Sequence, residues 1–222
     1  MSDPRGSAVL FDIDGTLVDS TYHHALAWHR AFAVLGDPPP MWRLHRAIGM
    51  GGDKLVGEVA GDDTEDEHGD ELRDRWREEY LKIRAEVVAL PGAADLVRKL
   101  SQDGFRVALA SSGDPQFARE AVDLLGIADL VETLTSSEDV EASKPEPDLV
   151  GVTLDRLGDV ERAVFVGDTP YDVAAANRAG LGCLSVLTGG FSRSELSQAG
   201  AVVVAESLSE LLADDWTEHV RD

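Results

Sequence analysis

Basic residues are scarce in this chain. Twenty Lys and Arg stand against 42 Asp and Glu, and the formal net charge is −22. A polyanion repels phosphate backbones and anionic headgroups, so no nucleic-acid or membrane partner is expected. Any site for an anionic substrate must be made locally positive inside that field, and a bound metal ion is the expected means. Cysteine is nearly absent as well. Cys183 stands alone, which rules out an intrachain disulfide and suits a reducing compartment. It lies in the apolar stretch 181–186 and reads as buried strand, not as a nucleophile. Long apolar runs are missing, and nothing approaches the roughly 20 residues that span a bilayer. The opening residues, Met1 to Gly6, run straight into a strand without a signal-peptide pattern, so the cytoplasm is the expected location. No internal repeat is visible.

What the chain has is 222 residues with 43% hydrophobic content, enough to bury a real core. From Pro91 onward helical and strand periods alternate. Helices are expected at 94–100, 115–125, 147–157, 171–179 and 208–212, several stopped by a glycine (Gly104, Gly126, Gly158, Gly180). Strands are expected at 105–110, 131–134, 163–166, 183–187 and 201–205. Their near-continuous apolar character fits parallel strands covered on both faces.

Residues 20–87 break this rhythm. Segments 25–35, 43–48 and 72–83 read as helices with no strand between them, and Asp37-Pro38-Pro39-Pro40 is a stiff connection. The run 62–67 reads as a solvated acidic loop, since it lacks the alternation and glycine of an EF-hand. The expected class is therefore α/β: a Rossmann-like three-layer core around a central parallel sheet, with a small all-helical cap inserted after the first strand. Residues 1–19 and 88–222 form the core and 20–87 the cap, with hinges near Val18-Asp19 and residues 88–92.

The most informative segment is Ala8-Val9-Leu10-Phe11-Asp12-Ile13-Asp14-Gly15-Thr16-Leu17. An apolar strand delivers two carboxylates, one residue apart, into a Gly-Thr turn. Side chains alternate along a strand, but where the backbone curls at its C-terminal end both acids can border one pocket. Open α/β sheets bind ligands at that place. Two such charges need a cation or a shared proton to coexist. Asp-Gly is also a common turn signal.

Three later strand ends carry complementary groups. Ser111-Ser112-Gly113 offers a hydroxyl and successive N–H groups, a seat for phosphate oxygens or an ordinary helix N-cap. Lys144, one of only four lysines, stands just before a Pro-initiated helix, where an exposed surface lysine is the plainer reading. Asp168 and Asp172, four apart after a third strand, share a helix face or complement its dipole. One crevice can gather all of these. Four acids against one lysine leave an excess of negative charge, for which Mg²⁺ is the simple remedy.

In this order the segments resemble the motifs of the haloacid dehalogenase superfamily, in its Mg²⁺-dependent phosphatase branch. Asp12-Ile13-Asp14-Gly15-Thr16 is similar to motif I, Ser111 to motif II, Lys144 to motif III and Gly167 to Asp172 to motif IV. The resemblance runs from Val9 to about Val204, and the helical insert sits where subfamily I members carry their C1 cap. It implies that Asp12 attacks phosphorus and becomes an aspartyl phosphate, while Asp14 protonates the leaving group and later deprotonates water. For that Asp14 should be partly protonated, which neighbouring negative charge favours. Mg²⁺ would be held by Asp12, Asp168 and the backbone carbonyl of Asp14. Ser111, Ser112 and Lys144 would hold the phosphoryl group, with Thr16 and Asp172 in support; Asp172 would reach the metal through water or orient Lys144.

The start of the cap, residues 19–28, resembles the phosphoglycolate phosphatase and β-phosphoglucomutase group. His24 is similar to the mutase residue that couples cap closure to acid–base work, and a packed histidine is the other reading. In the loop Ile48 to Lys54, Gly52 stands where a mutase would carry an arginine, and Lys54 and Arg46 are candidates to substitute in part. The loop's glycines would let its backbone approach a ligand. His23, Trp42, Arg43 and His45 belong to the cap with no role assigned. The implied partner is a small phosphorylated metabolite, the implied assembly a monomer or homodimer. A mutase and a catalytically idle phosphate-binding member are the alternatives. The presence of Asp14 sets aside the dehalogenase and phosphonoacetaldehyde hydrolase branches.

Overall fold

Alternation along the first strand builds two cores at once. In the computed structural model, which describes residues 6–220, six strands form one parallel sheet. They are β1 (Ser7–Phe11), β2 (Arg106–Ala110), β3 (Thr133–Thr135), β4 (Arg162–Gly167), β5 (Gly182–Val186) and β6 (Val203–Ala205), in the order β3-β2-β1-β4-β5-β6. Most of the opening segment read above for a signal peptide lies outside the described residues, as do both chain ends of the expected core. Val9 and Phe11 point to one face of the sheet, Ala8 and Leu10 to the other.

The first face is covered by α5 (Ala93–Gln102), α6 (Pro115–Leu125), α10 (Leu208–Leu211) and α11 (Trp216–His219). The second is covered by α7 (Asp148–Leu157), α8 (Pro170–Arg178) and α9 (Arg193–Ala199). Both faces of β1 are therefore sealed, which is why its five residues are all buried. The sheet and three-layer order match the expected α/β class. Helix α9 was not anticipated, although Ser192 and Glu195 form a capping box at its start.

Between β1 and α5 come four α-helices: α1 (Thr21–Phe32), α2 (Met41–Ala47), α3 (Gly52–Ala60) and α4 (Asp62–Ile83). They share a separate core of Trp28, Phe32, Leu44, Leu55, Val59 and Leu72. The two connecting chains run side by side: Asp19 N–H donates to the Val88 carbonyl (2.9 Å) and Leu90 N–H to the Leu17 carbonyl (3.0 Å). Two expectations fail here. The acidic run 62–67 is not a loop but the start of α4, where Asp62, Asp63 and Glu65 complement the positive end of the helix dipole. Gly52 and Lys54 are likewise helical, so only residues 48–51 form the loop. No helix among the described residues is long and apolar enough to cross a membrane.

Candidate active site

The site gathers at the C-terminal edge of β1, β2 and β4. β1 continues its ladder one step further, Asp12 N–H donating to the Val166 carbonyl (2.9 Å), before the chain turns through Gly15 at φ +81°. Lys144 is completely buried, and its Nζ lies 2.5 Å from Asp12 Oδ1 and 2.7 Å from Asp172 Oδ1. A surface lysine it is not. Burial disfavours its charge, yet the two carboxylates outweigh burial and raise its pKa. Asp172 also accepts on Oδ2 from the N–H of Thr169 (3.0 Å) and its hydroxyl (2.6 Å), closing a capping box on α8. It thereby orients Lys144 from a rigid helix start.

Asp168 has one satisfied oxygen and one orphan. Thr16 donates its hydroxyl to Oδ1 at 2.7 Å, while Oδ2 is buried without a hydrogen-bond partner. That oxygen sits between two glycines: a Cβ on Gly15 would fall 2.4 Å from it, and one on Gly189 1.8 Å. Carboxylate oxygens of Asp12, Asp168 and Asp172 lie within 4.8 Å of one another. Burial, and then the neighbouring acids, lift Asp168 well above the usual carboxylate range. Asp12 is raised to about 7, chiefly by burial and against the pull of Lys144. A buried, all-oxygen, net-negative donor set with an unpartnered oxygen fits a hard divalent cation. Asp12, Asp168 and Asp172 are the carboxylates that could supply its ligands.

Asp14 lies outside that cluster. Its Oδ1 accepts from Ser20 Oγ (2.6 Å) and pairs with His24 Nε2 (2.9 Å), and its Oδ2 faces Gly113, where a Cβ would come within 3.2 Å. Burial would raise its pKa, but His24 and Ser20 together outweigh burial and lower it. The expectation of a partly protonated Asp14 therefore fails, because the partner missing from a motif-only reading is a histidine. His24 is both packed and coupled: it stacks on Tyr80 (4.2 Å between centroids, 5° between planes) while its Nε2 reaches Asp14.

At the end of β2, Ser111 Oγ accepts from Gly113 N–H (3.0 Å) and Ser112 Oγ from Lys144 N–H (3.4 Å). The N-cap of α6 is Asp114, accepting from Gln116 N–H (2.7 Å), so neither serine is needed to cap the helix. Asp12, Asp14, Ser112 and Gly113 floor a cavity of about 370 Å³ whose roof is His24, Trp28, Arg73, Trp76 and Arg77. A second cavity of about 200 Å³, between the end of α4 and α6, also touches Asp14.

The roof residues on α4 were missed. Arg73, Trp76 and Arg77 recur at helical spacing, a signal hidden by the acidic residues around them. Lys54 and Arg46 do not face the cavity; they pair with Glu146 (3.4 Å) and Glu195 (2.5 Å) across the seam between insert and core. Gly52 does line it, and Arg73 Nη1 donates to its carbonyl at 3.0 Å, so a guanidinium reaches that position from another helix.

A family model described as haloacid dehalogenase-like hydrolase matches residues 7–180. A phosphoglycolate phosphatase of Rhodospirillum rubrum is 30% identical over 94% of this chain and 90% of its own. Among solved structures, a hydrolase from Pseudomonas syringae is 31% identical with a TM-score of 0.87, covering 93% of this chain and 96% of that one. CbbY of Rhodobacter sphaeroides, solved in complex with phosphate, is 27% identical with a TM-score of 0.76 over 92% and 95% of the two chains. The family match runs from β1 through the four-helix insert to the end of α8, and on that extent the chain belongs to the haloacid dehalogenase-like hydrolases.

Proposed function

We propose that the chain is a Mg²⁺-dependent phosphatase that hydrolyses a small phosphorylated metabolite through a phosphoryl group carried on Asp12. The observation that carries this reading is the buried Lys144 bridging Asp12 and Asp172 beside an orphaned Asp168 oxygen. It is a charge arrangement with little structural purpose, since a buried ion pair is weak support for a fold. The relatives' names, phosphoglycolate phosphatase above all, and the neighbour's phosphate complex support it. Residues 20–87 would be the cap and residues 1–19 and 88–222 the catalytic core.

Asp12 and Asp168, with the Asp14 carbonyl, would hold Mg²⁺, which supplies charge neutralisation at the phosphoryl oxygens. Ser111 and the N–H groups after it seat those oxygens, and Lys144 keeps Asp12 and the phosphate from repelling each other. A carboxylate oxygen of Asp12 attacks phosphorus; the ester P–O bond breaks, and the leaving alkoxide takes a proton from Asp14. His24, paired with Asp14, is placed to load it with that proton beforehand and to take back the one Asp14 later accepts from water. Water then attacks the phosphoryl group, Asp14 accepts its proton, and the Asp12–phosphorus bond breaks to release inorganic phosphate.

The cavity's volume suits a small metabolite. A cytoplasmic enzyme, monomeric or homodimeric, completes the reading. Mutase activity has one observation in its favour, the guanidinium of Arg73 beside Gly52. That group is already paired with Glu65 (2.8 Å) and Asp70 (2.9 Å), which weighs against it. Asp12→Asn assayed on an aryl phosphate and a panel of phosphorylated metabolites tests the proposal. Turnover should vanish; undiminished hydrolysis overturns it, and activity confined to assays primed with a bisphosphate turns the reading to a mutase.

A further inference from the structure

We infer that residues 187–191 form a strap through which docking of the helical insert fixes the Asp168 carboxylate, making His45 and Thr188 positioning residues for the metal ion. This rests on the reading of Asp168 as a metal ligand. The strap follows β5 and opens as a short 3-10 turn, Leu187–Gly189. Thr188 donates its hydroxyl to the Gly15 carbonyl at 2.5 Å, tying the strap to the turn that carries Asp14. Gly189 then lies directly on Asp168, with the position of a Cβ 1.8 Å from Oδ2. The backbone itself is therefore the wall behind the Asp168 oxygen that has no hydrogen-bond partner.

The same residue is held from the insert. His45 Nε2 is 2.8 Å from the Gly189 carbonyl. A carbonyl can only accept, so Nε2 carries the proton. Its ring is stacked on Tyr22 (4.9 Å) and packed against Phe191 (5.9 Å). Next to it, Arg46 lies 4.0 Å over the Phe191 ring and pairs with Glu195, while Tyr171 donates its hydroxyl to the Arg46 carbonyl at 2.8 Å. Helix α2 thus holds the strap at Gly189 and at Phe191. If the insert lifts away, the peptide that walls Asp168 loses its donor, and Thr16 alone orients the carboxylate. By linkage, an ion bound at Asp168 must favour docking of the insert as strongly as docking favours the ion.

The experiment is Mn²⁺ binding to the full chain, followed by electron paramagnetic resonance without substrate, in the wild type, His45→Ala, Thr188→Val and His45→Gln. Altered supporting residues around a metal ligand change affinity about 10–100-fold. His45→Ala and Thr188→Val should weaken Mn²⁺ binding by about tenfold, while His45→Gln, whose amide can donate to Gly189, stays within about twofold. Circular dichroism and melting checks that each variant is folded, and Thr188→Val tests the strap if His45→Ala is not. Unchanged affinity in both weakening variants overturns the strap. A wild type that binds no divalent ion overturns both the strap and the metal reading. A wild type that binds Mn²⁺ with the predicted variant pattern but hydrolyses no phosphate ester supports the strap while the phosphatase reading falls.

Discussion

His24 Nε2 and Asp14 Oδ1 stand 2.9 Å apart, one on the first helix of the insert and the other on the turn after the first strand. The contact joins the proposed acid–base residue to the helical insert. Removing it should hurt reactions that need a protonated leaving group more than those that do not. In His24→Ala, turnover of an alkyl phosphate is expected to fall about 100-fold, within the range for a general acid's contribution. Hydrolysis of an activated aryl phosphate should fall far less. Equal losses on both substrates would count against a proton-transfer role.

Lys144 balances two buried carboxylates. Lys144→Ala leaves Asp12 and Asp172 without their counter-charge and should lower stability by about 3–5 kcal/mol. Urea unfolding with and without MgCl₂ checks this, and added Mg²⁺ should recover part of the loss by binding only the folded state.

The titration of Asp12 gives a pH signature. Its folded pKa, about 7, lies above the ordinary 3.8, so its contribution to stability is full at low pH and is lost as pH rises through 7. Asparagine at this position does not titrate. Metal-free Asp12→Asn should therefore melt progressively higher, relative to the wild type, as pH increases from 3.8 to 7, and hold that advantage above. Asp168 shares the transition, so the midpoint belongs to the acid cluster and not to one residue. Saturating Mg²⁺ should reverse the order at pH 8.

Arg73 is a guanidinium in the cavity roof, and a second anionic group on a substrate would compete with Glu65 and Asp70 for it. Arg73→Met should raise KM about tenfold for a phosphate ester carrying a second anionic group, with kcat little changed, as expected when uniform binding is lost. KM for a simple aryl phosphate should stay within about twofold. A parallel rise for both would assign Arg73 to holding α3 against α4 through Gly52 and Glu65.

Much of this molecule is legible in the order of its residues. The β1 segment and the glycine-stopped helices are local signals: an apolar run needs two covered faces, and a positive-φ glycine ends a helix wherever it falls. The acids, the serine and the lysine could be gathered at one sheet edge because parallel strands present their C-terminal ends together. What stayed hidden depended on distance between elements. The ionisation of Asp14 is set by His24, ten residues on but across the gap between strand and insert. Arg73 approaches Gly52 from a helix whose acidic residues resemble a loop. Gly189 carries no side chain, so nothing in its identity signals that it lies against Asp168.

The central place of β1 has a consequence for how the molecule is made. Residues 7–11 pair with residues 106–109 on one side and 162–166 on the other. The strand that leads to Asp12 therefore leaves the ribosome before both of its partners and stays incompletely paired until residue 166 has followed. The four helices of the insert need only one another and can close meanwhile. Assembly of the candidate site is then a long-range event that follows the insert, and a nascent chain released before β4 has a closed four-helix insert and no site.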